Sequence, residues 1–431
     1  MEDDEPMNTT EDNNREALET EVAPALISVH PAHHSVAVAV GCELRVFDLR
    51  ESGPVTLGAK SKEVFHHKES IRAIRYGAKG KIFLSAGDDK VVKIWATDSW
   101  RCLCSVATEK KVSAVAISDN GQFVCYADKF GTVWVVELDE AIENQASVQK
   151  KGSPLLSHYC SIVTSLEFSP DGQFIITADR DFKIRVTVFP KKPLNGAHEI
   201  QSYCLGHTEF VSCLAFVYSQ DCPQGYLVSG SGDATVRLWD FASGLLLHTC
   251  DVGSQVGNKE ANGTENNHFV VTDLCTTSDG SSVFVAVQSL PGIFLLSSDF
   301  SAKTLTVIRV VSIIEEDFIP TSLGTSLTSD FLWMVMGVSS VARVRVITGL
   351  TKHTSEESGD NHYNVLEDNQ VPCGEQLLEH LQGSLSIDKD VFSAAAEAVK
   401  TSMRNLLIKK QYSSERRELR KRGRNDKKGK R

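Results

Sequence analysis

The segment LGHTEFVSCLAF at residues 205–216, followed by YLVSGSGDATVRLWD at residues 226–240, contains the pattern that decides the fold prediction. Two apolar runs are separated by a polar turn, and a third run begins just after Asp233 and ends at Trp239. Short runs rich in Val, Leu and Phe and bounded by turn residues are typical of β-strands. The segment therefore predicts a small antiparallel sheet.

The same arrangement recurs along the chain. Each copy has an aspartate six positions before a closing residue; the pairs are Asp89 with Trp95, Asp128 with Trp134, Asp181 with Thr187 and Asp233 with Trp239. The sequences SDNGQF (118–123) and SPDGQF (169–174) place Asn-Gly or Asp-Gly between apolar runs, which indicates hairpins. The chain is therefore predicted to consist of repeated antiparallel sheets.

The repeats predict one closed ring. Four-strand units that recur at roughly 40–50 residues are typical of β-propeller blades. One such sheet cannot bury both of its faces, so the blades must stack radially. Weaker copies bring the count between residues 25 and 350 to seven. We predict an all-β fold, a seven-bladed β-propeller whose first and last strands pair to close the ring.

Other segments have a different composition. The formal net charge is −11, with net −8 over residues 1–21 and net +10 over residues 404–431. We predict an acidic disordered leader, the propeller, a polar linker, a short C-terminal helical segment and a basic disordered tail. Their bounds are 1–24, 25–350, 351–383, 384–410 and 411–431, and the helical segment has apolar spacing at Val391, Ala395, Ala398, Val399, Met403 and Leu406.

Several classes of protein are excluded. No apolar run reaches the ~18 residues of a membrane span, and the acidic start is unlike a secretion signal. The eleven cysteines include no Cys-x-x-Cys pair, and we expect them to be reduced intracellular thiols. No phosphate loop, nucleophile elbow or dinucleotide motif occurs. We therefore expect no catalytic residue, no cofactor and no metal, with a propeller enzyme as the third-ranked alternative.

The quoted segment resembles a WD-repeat. Gly206-His207, then Asp233, then Trp239-Asp240 has the order and spacing of that family. The resemblance implies a buried hydrogen-bonded chain of four side chains, here His207, Ser229 or Ser231, Asp233 and Trp239. It implies a second such set that contains His67, Asp89 and Trp95. The copy that closes with Thr187 is expected to have an incomplete set.

Two phrases are more specific than a generic repeat. FSPDGQFIITADRDFKIRV (168–186) and LGHTEFVS (205–212) resemble the non-catalytic WD-repeat subunit of the tRNA (guanine-N7-)-methyltransferase. The resemblance implies a heterodimer with a separate catalytic chain, which binds S-adenosylmethionine and forms N7-methylguanosine in the tRNA variable loop. It implies that this chain binds and stabilises the catalytic chain, and meets tRNA through the complex.

The resemblance also implies a contact region on one face of the ring. Its residues would be Arg180, Asp181, Lys183, Arg185, Gly206, His207, Glu209, Phe210 and Val211. Aligned on the aspartates, Arg180 stands where the other copies have Asp88, Ala127 and Gly232, and Lys183 stands where they have Val91, Phe130 and Thr235, so both place positive charge where the other copies have none. Phe182 stands where the family leads us to expect a polar residue, and Phe210 could be either an exposed anchor or part of its own blade.

The basic end of the chain predicts nuclear import, with a cytoplasmic pool left open. The residues concerned are Arg420, Lys421, Arg422, Arg424, Lys427, Lys428, Lys430 and Arg431. Contacts with RNA phosphates are a second interpretation of the same residues. The main alternative function is that of a substrate receptor for a cullin ubiquitin ligase, because Phe47-Asp48-Leu49-Arg50 approximates the Trp-Asp-x-Arg box of such receptors.

Overall fold

The computed structural model describes residues 23–58, 66–138, 148–159, 161–257, 269–288, 290–313, 318–338, 341–349, 364–383 and 389–407. Within these residues the strands form seven sheets, one for each predicted blade. The innermost strand of each sheet packs beside the innermost strand of the next, all the way round. The prediction of a seven-bladed β-propeller is confirmed.

Blades one to three occupy residues 26–157. Their strands are β1 (Leu26–Val29), β2 (Ser35–Val40), β3 (Glu43–Asp48), β4 (Gly53–Pro54), β5 (Ile71–Gly77), β6 (Ile82–Gly87), β7 (Val91–Ala96), β8 (Arg101–Ala107), β9 (Val112–Ile117), β10 (Phe123–Asp128), β11 (Thr132–Glu137), β12 (Val148–Lys150) and β13 (Ser153–Ser157). Blade two has a fifth strand, because β12 leaves the connection inside blade three and pairs in parallel with β8.

Blades four to seven follow in chain order, each with four antiparallel strands. The strands are β14 (Val163–Phe168), β15 (Phe174–Asp179), β16 (Lys183–Val188), β17 (Ile200–Leu205), β18 (Val211–Val217), β19 (Tyr226–Ser231), β20 (Thr235–Asp240), β21 (Leu245–Asp251), β22 (Val271–Thr276), β23 (Ser282–Val287), β24 (Gly292–Asp299), β25 (Thr304–Ser312), β26 (Ser322–Thr325), β27 (Leu332–Val338), β28 (Val341–Thr348) and β29 (Asn364–Val365). The helices are α1 (Gly253–Gly257), α2 (Gly374–Gln382) and α3 (Lys389–Leu407).

The second strand of a blade is the most apolar because both of its faces are covered. Strands β2, β10, β15 and β23 are buried at every residue. The predicted turns begin these strands: Gly121 and Gly172 adopt φ of 73° and 68°, a region that favours glycine. Alternating burial would leave one face in water, so continuous burial indicates that neighbouring blades cover both faces.

Hydroxyl groups join neighbouring inner strands. In three successive blades the second residue of the inner strand donates a hydrogen bond to the backbone carbonyl of the first residue in the next inner strand. The bonds run from Ser113 to Val163, from Thr164 to Val211 and from Ser212 to Val271. These bonds satisfy carbonyl groups that face the inside of the ring and fix the relative height of adjacent blades.

The ring closes between two complete blades. Strand β1 packs beside β26, the Ala25 nitrogen donates to the Gly337 carbonyl at 2.9 Å, and Pro24 forms a single antiparallel bridge with Val338. The Thr321 hydroxyl donates to the Ala25 carbonyl at 2.6 Å. Among the described residues, which begin at Ala23, the predicted pairing of the two ends consists of this bridge, and blade seven contains no strand from the N-terminal segment.

The predicted linker, residues 351–383, requires a correction. Strand β29 at 364–365 pairs with β28 and completes blade seven. Helix α2 packs on β3, β4 and β28, and buries Leu377, Leu378 and Leu381 with Phe47 and Val344. This helix was not predicted because three leucines in a short polar stretch form an amphipathic stripe that is recognisable only once the groove that receives it is known.

Helix α3 lies within the predicted helical segment. It packs against β27, and its Ala395 is buried in a cluster with Phe284 and Met334 of blades six and seven. Among the described residues, no helix combines the length and apolar character needed to cross a bilayer. Residues 1–22 and 408–431 lie outside the described residues; they hold the predicted leader except for its last two residues, 23 and 24, and the whole predicted tail.

Packing of α2 against the junction of blades seven and one predicts that the helix stabilises the closed ring. Leu381 is fully buried, and the Arg45 guanidinium donates to its carbonyl oxygen at 3.1 Å. We expect Leu381→Ala to lower the free energy of unfolding by about 2–5 kcal/mol, because the substitution leaves a cavity between two blades. Urea unfolding followed by tryptophan fluorescence measures the change.

Leu327 provides the control, since its side chain is 56% exposed. Leu327→Ala should change the free energy of unfolding by no more than about 0.5 kcal/mol. Equal stability of the two variants would contradict a role for α2 in closing the ring.

Candidate partner-binding site

One buried hydrogen-bonded chain supports the loops at one edge of blade five. His207 Nδ1 lies 2.9 Å from Asp233 Oδ2, and His207 Nε2 lies 2.7 Å from the Ser229 hydroxyl. The Trp239 indole donates to the same hydroxyl at 2.8 Å. The structure selects Ser229 from the two candidate serines, because Ser231 bonds to the carbonyls of the 209–210 turn instead.

The protonation state of the His207–Asp233 pair follows from the hydrogen bonds that each side chain makes. A carboxylate only accepts, so His207 Nδ1 carries the proton and Nε2 accepts from Ser229. Burial lowers the pKa of His207, against the pull of Asp233, and keeps the ring neutral. Burial alone would raise the pKa of Asp233, but the hydrogen bonds that its carboxylate accepts from His207, Thr235 and the Thr208 backbone hold it well below its usual range. Every polar atom of the chain therefore has a partner, as a buried network requires.

Blade two repeats the arrangement. His67 Nδ1 lies 2.8 Å from Asp89, His67 Nε2 lies 2.8 Å from the Ser85 hydroxyl, and the Trp95 indole donates to Ser85 at 3.0 Å. The pKa of Asp89 is also lowered, since the bond from His67 outweighs the effect of burial. The structure thus brings together the three residues named from the sequence and adds Ser85.

Blade four has a variant that the sequence did not reveal. His158 bonds to Asp179 at 2.9 Å and to the Thr177 hydroxyl at 2.7 Å, and Asp179 is fully buried. The aspartate that receives the histidine is thus two residues before Asp181. Thr187 is buried where blades two and five have tryptophan, and accepts a hydrogen bond from Arg185. His158 was missed because no glycine precedes it in the manner of Gly206-His207.

Strand register corrects the sequence alignment of the blade-three copy, which contains Asp128. The pairs Ala127 with Val133 and Ala178 with Ile184 occupy the same place in their hairpins. Asp128 therefore corresponds to Asp179, and it receives the Trp134 indole directly at 2.9 Å. The blade-three residues equivalent to Arg180 and Lys183 are accordingly Lys129 and Thr132, where the sequence alignment gave Ala127 and Phe130.

The turn between β15 and β16 presents the charged residues of the predicted contact region. Lys183 is 47% exposed, and its amine lies 4.0 Å from Asp179. Arg180 is less exposed, at 16%, and lies 4.0 Å from Asp181. The Arg180 Nε is buried and has no hydrogen-bond partner among the described residues. Phe182, between them, is 39% exposed.

The other members of the predicted set divide into exposed and buried residues. Gly206 is exposed and Glu209 is half-buried. Phe210 and Val211 are fully buried, and the Phe210 ring lies beneath Gly232. This corrects the expectation that Phe210 could serve as an exposed anchor. His207 belongs to the buried hydrogen-bonded chain. Arg185 donates hydrogen bonds to Thr187 and to the Ser157 carbonyl. Both residues therefore support the loops rather than form their exposed surface.

The remaining sequence candidates lie elsewhere. His30 is buried and bonds to the Gly80 carbonyl at 3.1 Å. Among the described residues, no group of three histidine, cysteine or acidic side chains is placed to hold a metal ion. The predicted import residues, Arg420 to Arg431, lie outside the described residues. In the receptor-like box, Phe47 is fully buried and Asp48 pairs with Arg50 at 2.7 Å.

Comparisons with known proteins identify relatives of the chain. Residues 143–318 match the family described as tRNA methyltransferase TRM82 WD40 domain, and residues 59–96 match the WD domain, G-beta repeat. A Xenopus laevis protein named tRNA (guanine-N(7)-)-methyltransferase non-catalytic subunit wdr4 is 30% identical over 323 residues, which cover 74% of this chain and 76% of the frog protein.

Other relatives have the same description. The human non-catalytic subunit WDR4 is 36% identical over 43% of this chain and 41% of its own length. The chain matches about half of the Danio rerio relative, 53%, at 33% identity. The solved structure of RRP9 WD40 repeats has a TM-score of 0.56 at 18% identity, and covers 73% of this chain and 87% of that one; this likeness concerns the fold alone.

The buried carboxylates predict how stability depends on pH. Because the pKa of Asp233 and of Asp89 is lower in the folded protein than in the unfolded chain, the unfolded state binds more protons in acid. Stability present at neutral pH is therefore lost as the pH falls below about 4. Asp233→Asn should lower the free energy of unfolding at neutral pH by about 2–3 kcal/mol and reduce this acid loss, measured by urea unfolding.

Asp221 is an exposed aspartate in blade five and supplies the matched control. Asp221→Asn should unfold like the unsubstituted protein across the same pH range. The account of the buried chain would be wrong if Asp233→Asn kept the full acid dependence.

Proposed function

This chain belongs to the family of WD-repeat non-catalytic subunits of tRNA (guanine-N7-)-methyltransferases, and we propose that it binds and stabilises a separate catalytic chain in a heterodimer. The observation that carries the proposal is the match to the frog subunit over 74% of this chain and 76% of that protein. The same comparisons favour this function over the ubiquitin-ligase receptor. In the heterodimer, the catalytic chain uses S-adenosylmethionine to form N7-methylguanosine in the tRNA variable loop.

The proposed contact surface is the edge of blade four that carries the 180–183 turn. Lys183 and Arg180 place two cations there, and Gly206 and Glu209 lie in the next turn. Lys183 pairs with Leu205 in the strand ladder, so the two turns are neighbours. Arginine presents a fork of donors that fits a carboxylate, so we expect acidic side chains in the facing surface of the catalytic chain.

The ring is suited to a supporting role. Its loops rest on buried hydrogen-bonded chains in blades two, four and five, so they hold one geometry before the partner arrives. A preformed surface loses less conformational entropy on binding than a flexible one. It can stabilise the competent conformation of the catalytic chain by binding that conformation more tightly than others. tRNA is then met through the complex.

We further propose that the basic end of the chain directs the complex to the nucleus. The cluster at 420–431 combines RKRGR with KKGKR, the kind of Lys/Arg-rich segment that import receptors bind. The residues that carry this proposal are far in sequence from the contact region of blade four, so different substitutions can test the two functions.

Charge reversal tests the contact surface. Arg180→Glu with Lys183→Glu should weaken the heterodimer at least about tenfold, because it places like charges against the acidic surface expected in the partner. Binding to the purified catalytic chain is measured by calorimetry, and N7-methylguanosine formation in tRNA by mass spectrometry. Lys183→Glu alone, at an exposed site, serves as the variant least able to disturb folding.

The control uses the opposite edge of the same blade. Lys191 and Lys192 are exposed in the connection between β16 and β17, at the far end of β16 from the 180–182 turn. Their double reversal to Glu should leave the dissociation constant within about twofold. Unchanged affinity of the Arg180/Lys183 variant would place the interface elsewhere, and absence of any complex would overturn the proposed function.

Localisation is tested with the basic residues alone. Replacing Arg420, Lys421, Arg422 and Arg424 by Gln should shift a fluorescent fusion of the full chain from nucleus to cytoplasm. Heterodimer affinity should stay constant, which separates import from assembly. Nuclear accumulation that persists in this variant and in one that also lacks Lys427 and Lys428 would refute the import role.

A further inference from the structure

Exposed apolar side chains gather beside the charged contact residues. Phe130 is 65% exposed and Tyr159 is 93% exposed in blade three, while Phe182 is 39% and Leu205 is 60% exposed in blade four. Exposed aromatic side chains grouped in one place are more informative than scattered ones, because contiguous apolar surface marks interaction sites. We call these four residues, three aromatic and one aliphatic, the apolar strip.

Backbone contacts place the four residues in adjoining turns. The His158 nitrogen donates to the Gly131 carbonyl at 2.7 Å, which places Tyr159 beside the turn that carries Phe130. His158 in turn bonds to Asp179, at the foot of the turn that carries Phe182. The Arg180 nitrogen donates to the Ile162 carbonyl at 3.0 Å. Leu205 lies next to this turn because it pairs with Lys183 in the strand ladder.

The backbone conformation at Phe182 is one in which a phenylalanine is unexpected. Its φ of 69° lies in the left-handed region, which is unfavourable for a bulky side chain. The equivalent turn residues are Gly131 in blade three, Lys90 in blade two and Ala234 in blade five. Glycine or a small residue would fit this turn with less strain, so a phenylalanine here has no evident benefit to folding.

Cations border the strip. The Lys110 amine lies 4.9 Å from the centroid of the Phe130 ring. Lys183 and Lys129 lie at the adjoining turns, and the Lys129 amine is 4.0 Å from the Asp88 carboxylate of blade two. Asp181 lies among them with its side chain 22% exposed. The surface is therefore apolar at the centre and cationic around it, the arrangement of a protein-binding surface with a charged rim.

We propose that Phe130, Tyr159 and Phe182 anchor the catalytic chain, and that the facing surface of that chain is an apolar segment flanked by carboxylates. The inference rests on the proposed function and extends its interface from blade four across blade three. A protein partner is favoured over tRNA because Leu205 offers no ring on which a base can stack, and the carboxylate of Asp181 would repel phosphates.

The central experiment removes the two most exposed rings. Phe130→Ser with Tyr159→Ser should raise the dissociation constant for the purified catalytic chain about 30-fold, as expected for aromatic anchors at the centre of an interface. Both side chains are largely in solvent, so the melting temperature should not change. Leu245→Ser with Leu327→Ser, at sites 60% and 56% exposed elsewhere on the ring, is the matched control and should bind normally.

A second variant separates binding from folding at one position. Phe182→Gly relieves the left-handed strain and removes the ring, so the protein should melt no lower than the unsubstituted protein yet bind the catalytic chain about tenfold more weakly. Ala234→Gly makes the same backbone change at the equivalent turn of blade five and should leave the affinity unchanged.

The outcomes are distinct. Normal affinity of both strip variants, with a complex formed by the unsubstituted chain, would overturn this inference and leave the proposed function standing. No complex with the unsubstituted chain would overturn both. Strip variants that keep heterodimer affinity but lose tRNA binding by the heterodimer, measured with labelled tRNA, would assign the strip to RNA and refute the inference.

Discussion

The burial of both faces of every blade is the constraint on which this structure depends. A second strand such as β15, buried at each of its residues, is stable only while a blade covers it on either side. The ring must therefore close, and it closes between blades one and seven. The contacts at that junction come from two sources, the bridge and hydrogen bonds around Ala25 and the apolar stripe of α2. A helix from beyond the last blade thus adds to the limited pairing between the two ends of the ring.

The buried hydrogen-bonded chains connect this core to the surface. In blades two and five a tryptophan indole in the sheet, a serine hydroxyl and a histidine lead to an aspartate in the turn. Each group is desolvated, so loss of one partner leaves another unsatisfied and costs more than the bond itself contributes. Buried hydrogen bonds consequently fix the turns in place. The face that the turns form is therefore ordered although the turns themselves bury little apolar surface.

The sequence predicts much of this, and its failures have physical causes. Blade number, hairpins and the blade-five chain could be predicted because glycine turns and Gly-His-to-Trp spacing are local signals. The blade-three alignment failed because Asp128 bonds directly to Trp134, which imitates the usual spacing while shifting it by two residues. Asp179 was passed over because Asp181, and not Asp179, lies six positions before the closing Thr187, and only the position of His158 reveals which aspartate it contacts. Phe210 could not be placed because its burial depends on Gly232 in a different strand connection.

Correcting these positions changes the interpretation of the contact face. With Lys129 rather than Ala127 aligned to Arg180, two adjacent blades carry a cation at the same turn position, on a protein whose net charge is −11. A small basic region on an acidic protein attracts an acidic partner in one orientation, because the remainder of the surface repels it. Charge of this kind guides approach and selects the orientation, while desolvated apolar contacts supply most of the affinity. Exposed rings between the cations, one of them held in a strained backbone conformation, therefore belong to the same surface as the charges that surround them.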